Sequence, residues 1–244
     1  MNKFTRKAFT LGEVLIVVAI LGAIAVMAVP NLKNNTTSET NITALKTAYN
    51  QLETAINTVV TAYGSLQDAK NAPSTDCGST NEVICLNNSI IKNLDLQLNC
   101  QNSNLSRCYS SDVLQDIDGA NVASGASYER CSYAFVLSNG ASVCYVNRGD
   151  SYQFDNYEID INGPKKGPNV LGVDVFEAYI DANDDLSYDD PSLDASTINS
   201  NRKGKNGFVT QRDETAWAMA FGNMDYTKCK ASLRWNDITS CPAQ

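Results

Sequence analysis

The apolar positions of this chain fall into three regimes. From Leu11 to Val29 they are continuous: about nineteen residues with one charge among them, Glu13, close to the length that spans a bilayer core. From Ile42 they recur in steps of three and four, at Ile42, Leu45, Tyr49, Leu52, Ile56, Val59, Tyr63 and Leu66. That spacing draws one apolar stripe along a helix. The stripe lacks the flanking charge pattern of a coiled coil, so the helix is expected to pack on its own sheet. Gly64 weakens its end and Pro73 closes it. From Cys131 the period becomes two. Residues 131–147 read as two strands around Asn139-Gly140, a strong hairpin signal. A two-residue turn there sets Phe135 opposite Cys144. Residues 157–163 and 174–181 read as two more strands, and 216–222 as a further strand or a short helix.

Two segments lack regular patterning. Residues 31–40, NLKNNTTSET, carry side chains that compete for backbone hydrogen bonds. Residues 71–130 are rich in Asn, Ser and Asp and are expected to be loops, with a short helix within SIIKNLDLQL. The organisation expected is a charged stub at 1–8, a membrane helix at 9–30, an amphipathic helix at 31–70, disulfide-rich loops at 71–130, an antiparallel sheet at 131–228 and a tail at 229–244. The fold class is α+β: a long N-terminal helix, membrane-spanning in its first half, packed on an antiparallel sheet.

Composition narrows the chemistry. The net charge of −8 argues against broad nucleic-acid binding, which needs a basic footprint. There is no His, which removes Ser–His and Cys–His catalysis, and the chain is not expected to be an enzyme. The eight Cys all follow Asn71 and form no C-x-x-C pair. Their even number in an exported chain reads as four disulfides. Nearest-neighbour pairing is expected: Cys77 with Cys85, Cys100 with Cys108, Cys131 with Cys144, and Cys229 with Cys241. The Cys131 pairing is the least secure, given the turn register.

The N-terminal run has three readings. Lys3, Arg6 and Lys7 precede it, so the positive stub stays cytoplasmic if the run enters a membrane. A secretory signal would be cut after the run, near Ala25 or Ala28. A plain anchor would not be cut. A third cut, between Ala8 and Phe9, leaves the helix attached and frees an ammonium one turn from Glu13. Glu13 favours the third, since a carboxylate in an apolar run is costly without a partner.

Lys7, Phe9-Thr10-Leu11, Glu13 five residues past the cut, and the apolar run resemble the class III leader of type IV pilins and type II secretion pseudopilins. Pro30 falls where that family commonly has a helix-weakening proline. The chain has Ala8 where the family usually has Gly, and Gly12 where it usually has a large aliphatic residue. DINGPKKGPNVLGVDVF and the ending FGNMDYTKC…SLRWNDITSC are similar to the heads and tails of bacterial pilin-like proteins. The resemblance implies a prepilin. A prepilin peptidase would cut after Ala8 and methylate Phe9, and Phe9, Glu13 and Pro30 would serve assembly. It also implies a single-pass inner-membrane subunit with a cytoplasmic N-terminus. An assembly platform would then raise it into a filament with other pilin subunits. A tip-located binding module and a signal-anchored periplasmic domain are the alternatives.

One further cluster bears on cofactors. Asp181, Asn183, Asp185 and Ser187 alternate like the first half of an EF-hand loop. Leu186 and Ser192 stand where the Gly and the bidentate Glu belong, so this is no EF-hand. A looser Ca²⁺ loop closed by Asp189 or Asp190 is the candidate, against a solvated acidic loop. Asp160, Asn162 and Asp174 are a second candidate, with Asx-turn hydrogen bonding as the plainer role. Trp217 and Trp235 read as core or cover residues, and Lys165 and Lys166 as a solvated turn.

Overall fold

The computed structural model describes residues 11–73, 77–122, 124–146, 156–180, 183–187, 213–235 and 237–242, without the side chains of residues 11, 13 and 21–37. The chain forms two compact units, Met1–Thr40 and Asn41–Gln244. Helix α1 runs Leu11–Tyr63, and α2 (Leu66–Lys70) and α3 (Glu82–Ile91) follow. Strands β1 (Leu96–Gln101), β2 (Tyr133–Leu137), β3 (Ser142–Val146), β4 (Asn156–Asp160), β5 (Val175–Ile180) and β6 (Leu186–Ser187) come next. The chain closes with α4 (Asp213–Phe221) and α5 (Tyr226–Cys229).

In the first unit, residues 31–40 are helical despite their Asn and Thr content. The expectation of a membrane-spanning first half is corrected here. Among the described residues no helix is long and apolar enough to cross a membrane. The fold class is therefore a six-stranded antiparallel sheet with helices, without, among the described residues, the long apolar helix expected. The single-pass inner-membrane location is corrected with it, for the same reason.

In the second unit the six strands pair in chain order, all antiparallel. One sheet face presents Tyr133, Phe135, Leu137, Val143, Tyr145, Tyr157, Ile159 and Phe176. These share a buried core with Leu45, Tyr49, Leu52, Ile56 and Val59 of α1. The stripe read from the sequence thus packs on its own sheet, and the Tyr49 hydroxyl donates to the Leu186 carbonyl at 2.6 Å. Helix α3 lies in the same core. Its buried Asn87 and half-buried Asn88 accept from the Tyr157 and Tyr133 hydroxyls at 3.2 and 2.8 Å, which satisfies groups that would otherwise be costly to bury. Gly64, at φ 94°, ends α1, and Ser65 caps α2 through the Asp68 amide.

The opposite face is also buried. Ala134, Val136, Cys144 and Val146 meet Tyr109 and the Cys100–Cys108 loop. Four disulfides join Cys77–Cys85, Cys100–Cys108, Cys131–Cys144 and Cys229–Cys241. The hairpin differs from the two-residue turn expected. Ala134, not Phe135, stands opposite Cys144, because Ser138, Asn139 and Gly140 form a three-residue loop closed by the Leu137 amide on the Ala141 carbonyl. Cys131 lies just before β2, with its Cα 5.3 Å from that of Cys144.

Residues 89–98 split between two elements, the end of α3 and the start of β1. Residues 216–221 are helical. Thr215 at the start of α4 accepts from the Glu177 amide at 3.2 Å, covering the part of β5 that β6 leaves unpaired.

Candidate functional site

The first unit offers a surface. Val14, Leu15, Ile16, Val17, Val18 and Ile20 are 52–62 % exposed. Successive helix positions point about 100° apart, so these residues cover every face of the helix. A helix apolar all round needs a surrounding partner. Ala8 and Phe9 lie outside the described residues, as do the side chains of Glu13 and Pro30.

In the second unit, two polar clusters occupy the face of the sheet away from α1. Pairing across β3, β4 and β5 aligns Cys144, Glu158 and Glu177 in one row. Glu158 has no exposed surface, and Glu177 is 2 % exposed. The Arg130 guanidinium pairs with Glu158 and reaches to 4.0 Å from Glu177. Tyr179 donates its hydroxyl to Glu177 at 2.7 Å, and Tyr109 donates to Glu158 at 3.4 Å. Burial, then the charges of Glu158 and Asp160, push the Tyr109 hydroxyl well above the ordinary tyrosine range. It therefore stays a neutral donor. Buried carboxylates held by one arginine and two phenols make a structural clamp rather than a proton-transfer pair.

The second cluster is the loop after β4. The Asx turn expected at Asp160 is present: Oδ1 accepts from the amides of Asn162 and Gly163 at 3.2 and 3.1 Å. Asp174 gathers the far end of the loop. Its Oδ2 accepts from Asn162 Nδ2 at 3.0 Å and the Asn169 amide at 2.9 Å, and its Oδ1 from the Val170 amide at 2.7 Å. Gly167-Pro168 is cis. Burial, with the charge of Asp174 added, raises the Asp160 carboxyl to about 7. Burial also raises Asp174, against three amide donors and Asn162.

The acidic loop 181–190 is only partly described. Asp181, Asp189 and Asp190 lie outside the described residues, so the proposed quartet with Asn183 and Asp185 is not assembled from described ones. Asp184, at φ 62°, accepts from the Leu66 amide at 3.2 Å. No group of three or more His, Cys, Asp or Glu suited to a metal occurs among the described residues. Lys165 and Lys166 are exposed. Trp217 is fully buried in the core and meets Phe221 tilted and Trp235 edge-on, with ring centroids 4.4 and 5.0 Å apart. A cleft of about 490 Å³ is lined by Gln115, Asp116, Asp118, Lys228 and Lys230, among others. Lys230 is engaged by Glu214 at 2.9 Å.

The Glu158–Arg130–Glu177 clamp was missed in the sequence. Alternation in residues 157–161 and 175–180 does put both glutamates opposite the core-facing residues. Nothing in the spacing of Arg130 from either strand points to them. No protein-family model matches the chain, and neither a curated protein nor a solved structure matches it.

Proposed function

We propose that the chain is a structural subunit of a filament of the type IV pilus or type II secretion pseudopilus kind, cut between Ala8 and Phe9 and polymerised through its N-terminal helix. The observation that carries this reading is the all-round exposure of Val14–Ile20. Such a segment finds complete cover among the same helices of neighbouring subunits. The leader residues quoted above add a specific pair: the ammonium freed on Phe9 and the Glu13 carboxylate of a neighbour. At about 4 Å and an effective dielectric near 20, that attraction is roughly 4 kcal/mol before desolvation is subtracted. The partners are other subunits and a prepilin peptidase. The head unit, closed by four disulfides, forms the filament surface.

The test is to produce the full chain with a prepilin peptidase and its assembly system, then determine the mature N-terminus by mass spectrometry. A chain beginning at N-methylated Phe9 is expected. An intact Met1, or a terminus just after Ala28, overturns the reading. Glu13→Val should still be cut after Ala8, yet be depleted from sheared filaments. Entry at the wild-type level removes the charge-pair account.

A further inference from the structure

The loop between β4 and β5 holds more oxygen than its hydrogen bonds use. Four buried side-chain oxygens in it and beside it have no hydrogen-bond partner: Asn162 Oδ1 and Asn169 Oδ1 in the loop, Asp160 Oδ2 at the end of β4 and Ser142 Oγ at the start of β3. Asp160 and Ser142 have no exposed surface, and Asn169 is 1 % exposed. Orphaned acceptors at this depth are uncommon and cost free energy.

Asp160 is one of two carboxylates there; Asn162 and Asn169 are hydrogen-bonded to them, and Ser142 is a strand neighbour of Asp160. Ser142 stands opposite Asp160 across β3 and β4. Asn162 contacts both carboxylates, by its amide to Asp160 and its side chain to Asp174. Asn169 is held on Asp174 by its own amide, while its side-chain nitrogen is turned to Ser110 at 2.8 Å. That leaves Oδ1 of Asn169 without a donor. The Ile161 amide on the Asp174 carbonyl at 2.9 Å brings the two acidic positions together. Among the described ion pairs, none neutralises either carboxylate.

The geometry points to a divalent-cation site suited to calcium, built from Asp160, Asn162, Asn169 and Asp174, with Ser142 beside Asp160. Two carboxylates and two amide oxygens are hard donors, and calcium accepts six to eight such oxygens in flexible geometry. The ion satisfies the orphaned acceptors and balances the charge that Asp160 and Asp174 impose on each other. It also ties the loop 162–174 to the sheet, independently of the acidic loop at 181–190. The inference does not depend on filament assembly.

The experiment uses the full chain freed of metal by chelation and titrated with CaCl₂, with calorimetry and thermal unfolding as readouts. Binding with a rise in melting temperature is expected, because a ligand held only by the native state stabilises it. Asp160→Asn keeps the Asx acceptor and removes the charge, and should weaken binding by more than about tenfold. Asn169→Ala leaves Asp160 untouched and should also weaken it, which guards against a misfolded Asp160 variant. Asp185→Ala should bind as wild type does. No calcium binding by the wild-type chain overturns the site. So does binding that Asp185→Ala abolishes and both Asp160→Asn and Asn169→Ala leave intact.

Discussion

At the scale of single residues, burial of charge sets the energetics. Glu158 has no exposed surface and faces Glu177 across β4 and β5. Arg130, whose side chain is 17 % exposed, supplies the cation. Arg130→Ala strands two buried carboxylates, and the loss should be about 3 kcal/mol, read from the urea midpoint. Arg130→Met combined with Glu158→Gln should lose less, since one buried carboxylate, Glu177, is then left without the arginine instead of two. Glu214 behaves differently. Its side chain is 3 % exposed beside Lys230, and burial raises its carboxyl to about 7 even against that lysine. The folded state therefore holds a proton that the unfolded state releases. The stabilisation is complete below the unfolded value near 4.5 and is lost as pH rises through 7. It amounts to at most roughly 3 kcal/mol. Glu214→Gln should flatten this fall in melting temperature between about pH 4.5 and 7. An unchanged slope counts against Glu214 as its source.

At the scale of elements, two glycine turns meet. Gly140 lies at φ 91° with open space where a Cβ would go, whereas a Cβ on Gly163, at φ 89°, would sit 2.7 Å from the Gly140 carbonyl oxygen. Gly140→Ala pays only the left-handed penalty, about 1 kcal/mol. Gly163→Ala should cost clearly more, by thermal unfolding, because backbone must shift as well. Elements with a strict period were legible: the stripe of α1 from Ile42 to Val59 and strands β2 to β5 follow from alternation and burial alone. The Asx turn at Asp160 was legible because short-range hydrogen bonding fixes it. The hairpin register was not. Asn139-Gly140 fits both a two-residue turn and a three-residue loop, and packing of the two sheet faces decides. Strand β1 was hidden for a related reason. Its burial is intermittent, so its apolar residues suit a helix as well as an edge strand. Arg130 lies far in sequence from the strands it serves, and no local pattern encodes such a meeting.

At the scale of the whole molecule, the head combines a sheet whose strands pair in chain order with bridges between successive cysteines, separated by 8, 8, 13 and 12 residues. By loop entropy each bridge is worth roughly 2.5–3 kcal/mol, and their sum rivals the net stability of a typical domain. This connectivity has a kinetic meaning. Each thiol reaches its native partner before any more distant one, since short loops close fastest. The head can thus be oxidised in the order in which it is synthesised, with little need for a catalyst to reshuffle wrong pairs. Refolding of the fully reduced chain in a glutathione buffer should restore all four native bridges at a rate that added disulfide isomerase barely changes. Accumulation of scrambled species that only the isomerase resolves would show that the native contacts, not proximity along the chain, select the partners.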